Sequence, residues 1–233
     1  MAMSEADESA ALRQRFPKPA PSVAAFQALA ILGTNAWLLV LLLRGDASPS
    51  ALALYGVIEL VLLSVVSNAA LYRIPVELRV GSPDLPPAQR LGVIVAMSLF
   101  LFGIAWIAAP DRERFDGLVD ASPWTALDGM HILWPLLGSV ALAIVGAVGD
   151  RLRWNARRGP FVTGAAMSAA PKFMTAIAAP LIAALLSATL THDDPARGAF
   201  IWGAAYLGIR WGLESLVLAW QCLGMPERAA AGG

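Results

Sequence analysis

The chain reads as an all-α protein, a polytopic bundle of about six transmembrane helices with both termini in the cytoplasm. Three observations predict this. The composition is 58% hydrophobic and only 15% charged, with a mean hydropathy of +0.63, whereas soluble domains hold roughly 45–50% apolar and about 25% charged residues. The apolar residues are blocked into runs near the ~20 residues that a bilayer core requires. Lys and Arg also alternate between dense and sparse connections along the whole chain, the signature of fixed membrane orientation.

Residues 1–22 read as a cytoplasmic tail, with Arg13, Arg15 and Lys18 ahead of the first apolar run. That run, 23–43, exceeds the ~7–15 residues of a signal-peptide core, so it reads as a retained span. The remaining spans are predicted at 50–72, 91–109, 131–149, 171–191 and 198–223, making 23–223 one transmembrane domain and 224–233 a cytoplasmic tail. Pro171 suits the first turn of the fifth span, where a missing N–H costs nothing. The stretch 161–170 just before it is too short to cross and reads as part of the loop, or as a re-entrant or interfacial segment.

Orientation follows from the connections. The two tails and the loops containing Arg73, Arg79 and Arg90, and Arg151, Arg153, Arg157, Arg158 and Lys172, carry twelve basic residues on one side. The other side holds four, Arg44, Arg112, Arg114 and Arg197. The excess marks the cytoplasmic face. Trp37, Trp106, Trp134 and Trp202 fall near the outer ends, and Trp154 and Trp220 near the inner ends, where indole prefers the headgroup level. Trp211, mid-span, is expected to pack between helices. The outer loop after the third span, with Asp111, Glu113, Asp116, Asp120 and Asp128, reads as acidic and solvated, or as holding a short interfacial helix.

Three ionisable residues fall inside spans: Glu59 in the second, and Arg210 and Glu214 in the sixth. A lone charge at mid-membrane costs about 2.5–3.5 kcal/mol on insertion scales, so each must seek a partner. Arg210 and Glu214 are one helical turn apart and share a face. From the predicted helix starts, Glu59 and Arg210 differ in depth by only about 5 Å, which an arginine spans. The sequence therefore predicts a Glu59–Arg210–Glu214 cluster between the second and sixth spans. Arg210 would hold one carboxylate ionised, leaving the other as a candidate proton acceptor. Tyr55, Tyr206 and Gln221 lie on the same stripes as supporting polar groups, and Gly56 leaves room for another backbone one turn from Glu59. Asn35, Ser64 and Asn68 are candidates for interhelical hydrogen bonds.

His131 and His192 stand at outer helix ends and are weak candidates for a metal site. The single Cys222 excludes an internal disulfide and any Cys-only metal or redox motif. No nucleotide, zinc-protease or hydrolase motif is present, so no cofactor is expected. With zero formal net charge, no nucleic-acid partner is expected; the partners are the lipid bilayer and a membrane protein or a second copy of the chain. Only Lys18 and Lys172 among the seventeen basic residues are lysines, a bias that suggests a high-GC bacterial genome and hence a bacterial inner membrane. Three functional readings stay open: a small transporter or ion/proton relay using the cluster, a structural or accessory subunit in which the charges fix packing, and a membrane-embedded enzyme.

Overall fold

A computed structural model describes residues 21–71, 74, 87–111, 127–157, 164–190 and 194–223. The described residues are helical, without strands. Six long helices follow one another: α1 (Pro21–Arg44), α2 (Pro49–Ala70), α3 (Pro87–Ala108), α4 (Leu133–Arg157), α5 (Gly164–Leu190) and α6 (Pro195–Leu223). Four stretches, Pro21–Arg44, Pro49–Ala70, Leu133–Leu152 and Lys172–Leu190, are long and apolar enough to cross a membrane. The apolar part of α3, Gly92–Ala108, is shorter, and α6 carries Arg210 and Glu214 in its middle.

Local chemistry sets the helix ends. α1 stops at Gly45, whose φ of 75° is the left-handed conformation that glycine adopts without a Cβ penalty. The Gly45 N–H bonds the Leu42 carbonyl at 3.1 Å and the Asp46 N–H bonds the Leu41 carbonyl at 2.9 Å, the paired pattern that satisfies the last carbonyls of a helix. α2 restarts four residues later, with Ser48 accepting from the Ala51 N–H at 3.2 Å and Pro49 in the first turn, both favourable at a helix start. Asp194 does the same for α6, accepting from the N–H groups of Ala196 at 3.0 Å and Arg197 at 3.2 Å.

α2 is the central helix. It packs against α3, α4, α5 and α6, while α1 closes the gap between α4 and α6. Of its apolar window 67% is buried, against 17–28% for the other three spanning candidates. Both ends of α2 are held. Beyond the end of α3, the Asp111 carboxylate accepts from the Ser50 N–H and hydroxyl, each at 2.9 Å. At the other end Arg151 donates to the Ala70 carbonyl at 3.2 Å. An acid at the N-terminus and a base at the C-terminus both complement the helix dipole.

The outer faces are apolar: Leu99, Ile107, Leu185 and Leu216 are all exposed, as a hydrocarbon solvent permits and water does not. The interior towards the Arg44 end is a dense aromatic and leucine core. There Trp202 is fully buried, stacks on Tyr206 at 5.3 Å and donates its indole N–H to the Ala108 carbonyl at 2.9 Å.

Several sequence expectations change here. α5 begins at Gly164, so Pro171 lies inside the helix and residues 164–170 are its first turns, not part of a loop or a re-entrant or interfacial segment. α4 runs on to Arg157, so Arg151 belongs to a helix and caps α2. Trp202 is a core residue, not an interfacial one. Trp211 faces outward, 36% exposed, beside the groove between α1 and α6. Asp111 is a clamp and not merely a solvated loop charge. Gly56 admits a side chain, not a backbone: a Cβ there would run into the Tyr206 hydroxyl. Ser64 and Asn68 bond carbonyls of their own helix, at 2.8 and 2.9 Å. Pro21 and Ser22, read as the end of the N-terminal tail, open α1; residues 1–20 and 224–233, Arg73, Arg79, Arg90, the loop 112–126 and His192 lie outside the described residues or side chains.

Gly56→Ala should therefore lower stability by about 1–3 kcal/mol through overpacking against Tyr206. Gly208→Ala, whose added Cβ meets nothing within 4 Å, should be neutral or mildly stabilising. Thermal unfolding of the two variants in detergent compares them directly.

Candidate functional site

Glu59 projects from the middle of α2 and is 1% exposed. No water can solvate it there, so its lone pairs must find donors inside the bundle. Four donors reach it. Arg210 of α6 donates to Oε2 at 2.6 Å. Oε1 accepts from the ammonium of Lys172 on α5 at 2.8 Å, from the Tyr55 hydroxyl one turn earlier on α2 at 3.1 Å, and from the Ser139 hydroxyl on α4.

Glu214 is the second carboxylate, 4% exposed. Its Oε2 accepts from the Asn35 side chain of α1 at 2.9 Å. Its Oε1 lies 3.3 Å from the Lys172 ammonium and 3.4 Å from the Arg210 guanidinium, within ion-pair range but without a hydrogen bond. The Arg210 guanidinium also stands 4.8 Å from the Tyr55 ring centre, where the π-face favours a cation.

The structure thus brings Glu59, Arg210, Glu214 and Tyr55 together, with Tyr206 one turn along α6 over Gly56. The Gln221 side chain lies outside the described residues. Three contributors are absent from the cluster as the sequence predicts it: Lys172, Ser139 and Asn35. Reading Pro171 as a helix start places Lys172 at the edge of a cytoplasmic loop. In a helix that begins at Gly164, Lys172 instead lies about 12 Å from the helix start. The consequence is electrostatic. Two acids and two bases neutralise one another, so the spare carboxylate expected of a three-residue cluster has a cation beside it.

A cavity of about 500 Å³ ends on this cluster. α1, α4 and α6 form its walls, with Phe26, Ala30, Leu142, Val217 and Leu218 among the apolar lining, and Ser139, Lys172 and Glu214 at its inner end. Ser22 and Asp150 stand at its mouth, towards the Pro21 end. Along α4 the lining extends about 16 Å, from Asp150 to Ser139. Beyond the cluster the aromatic core closes the path to the Arg44 end. The cavity therefore lies on the Pro21 side of the cluster.

His131 is exposed, in the turn before α4 with a φ of 58°, and its N–H bonds the Asp128 carbonyl at 2.8 Å. Among the described residues no group of three or more metal-binding side chains occurs. No family model, curated protein or solved structure matches the chain.

Removing one partner from a buried charge pair leaves the other uncompensated, at about 3–5 kcal/mol. Glu59→Gln should incur that loss, since it takes the short contacts of both Arg210 and Lys172. Glu214→Gln, which gives up longer ion pairs and can keep the Asn35 hydrogen bond, should cost less, about 1–3 kcal/mol. Equilibrium unfolding in mixed micelles ranks the two, and equal losses would contradict the geometry.

Proposed function

We propose that the chain crosses a bacterial inner membrane six times with both termini in the cytoplasm, and that it is a small transporter or ion relay. The observation that carries this reading is the cavity that reaches a buried charged cluster from one side. Transport needs a binding site that solvent can reach at mid-membrane, with polar groups there to recognise what enters. With Lys172 set aside as a member of the cluster, the eleven-to-four bias of basic residues orients the cavity mouth towards the cytoplasm. The aromatic core beyond the cluster is the closed side, so this is the form open to the cytoplasm.

One observation favours a second reading. The four charges are balanced, and balanced buried charges can serve only to fix helix packing. In that case the chain is an accessory subunit and its cavity a lipid-filled gap.

Accessibility separates the two. Single cysteines at Leu142 and Ala143 on the cavity wall, in a Cys222→Ser background, leave the cluster intact. Transport predicts labelling of both by a small charged thiol reagent from the cytoplasmic side and not from the other. A folded protein that resists labelling from both sides has a dry cavity, and the accessory reading then stands.

A further inference from the structure

Taken as a binding site, as the transport reading requires, the cavity has a lining biased towards one kind of ligand. Among the described residues its ionisable side chains are Asp150, Glu214 and Lys172. Arg210, 2% exposed, is committed to Glu59 and takes no part in the lining. Two buried oxygens of lining residues have no hydrogen-bond partner, Oε1 of Glu214 and Oε1 of Gln27. Both are acceptors, so whatever completes them must donate. Apart from the hydroxyls of Ser22, Thr34 and Ser139, the rest of the described wall is apolar. A donor that is also cationic, carried on an apolar body, fits the open acceptor of Glu214 and the apolar wall beside it.

Lys172 already shows the fit. Its side chain is an ammonium on a four-carbon stem. It reaches into the same cavity and places its charge 2.8 Å from Glu59 and 3.3 Å from Glu214. It is also the least buried of the four charges, with a side chain 16% exposed against 2–3% for the others. We propose that the cavity binds an amphiphilic primary amine, whose ammonium takes the place of the Lys172 ammonium between Glu214 and Glu59 while the lysine withdraws towards the mouth. Arg210 stays as the fixed counter-charge, so the exchange swaps one cation for another and leaves the carboxylates paired.

The test uses the full chain with Leu142→Cys and Cys222→Ser in phosphatidylcholine nanodiscs, and the rate of thiol labelling in the presence of n-octylamine, n-octanol or octanoate. The expected result is that octylamine slows labelling about tenfold at a concentration where octanol and octanoate change it less than about twofold. Glu214→Gln should remove the preference. Lys172→Met should lower the octylamine concentration required, because the internal competitor is gone. Equal protection by octanol would overturn the inference, since an apolar volume alone explains it. Fast labelling that no probe slows would also overturn it, while leaving the hydrated cavity and the transport reading in place. A cysteine that does not label even without probe would remove both. Nanodiscs of phosphatidylethanolamine identify the source: slow labelling there without added amine points to a lipid headgroup, and slowing only on addition of octylamine points to a free amine. Either supports the amine.

Discussion

An arginine cannot sit in the middle of an apolar bundle uncompensated, and the arrangement around Arg210 stems from that constraint. Moving a charge from water into the interior costs several kcal/mol even after relaxation, and paired charges recover this only when geometry is good and the remaining lone pairs are bonded. Glu59 meets the condition with four donors. Glu214 meets it partly, through Asn35 and two longer ion pairs. The result ties five helices at one level: α2 supplies Glu59 and Tyr55, α6 supplies Arg210 and Glu214, and α5, α4 and α1 send Lys172, Ser139 and Asn35. Apolar contacts between helices are weakly directional in lipid, so a polar knot of this kind sets register where leucine packing does not.

The two halves of the bundle differ on either side of the knot. Towards the Arg44 end, Leu38, Leu52, Tyr55, Trp202 and Tyr206 are fully buried, and Gly203 is so close to α1 that a Cβ would fall 2.6 Å from Leu42. Towards the Pro21 end, α1 and α4 stand apart and the cavity fills the gap. Lys172 lies at the boundary and belongs to both halves, with its charge in the knot and its stem in the cavity. That position makes it the one charge in the cluster with somewhere else to go.

Much of this is legible in the sequence, and the failures have identifiable causes. Apolar run length locates all six helices because hydrocarbon thickness leaves little freedom in length. The three in-span charges stand out because their cost is large enough to require partners. Lys172 escapes because a proline at the edge of an apolar segment ordinarily signals a helix start, whereas α5 continues through Pro171. Asn35 makes the interhelical hydrogen bond expected of it, but neither it nor Ser139 carries a signal that places it at the cluster. Ser64 and Asn68, similar in kind, bond their own helix. Trp202 and Trp211 exchange expected roles, because a tryptophan's depth follows from sequence but the face it occupies depends on helix rotation. The cavity has no sequence signature at all, since it arises from the separation of α1 and α4.

Lys172 is therefore the residue on which the electrostatics turn: a loop charge by sequence, a member of the buried cluster by geometry. A double-mutant cycle between Glu59→Gln and Lys172→Met, read by equilibrium unfolding in detergent, measures its membership most directly. A cluster of four coupled charges predicts an interaction energy of about 1–3 kcal/mol, with the double variant more stable than the sum of the single losses. Losses that add within about 0.5 kcal/mol would mean that Lys172 and Glu59 do not interact, and Lys172 would return to being a topological charge.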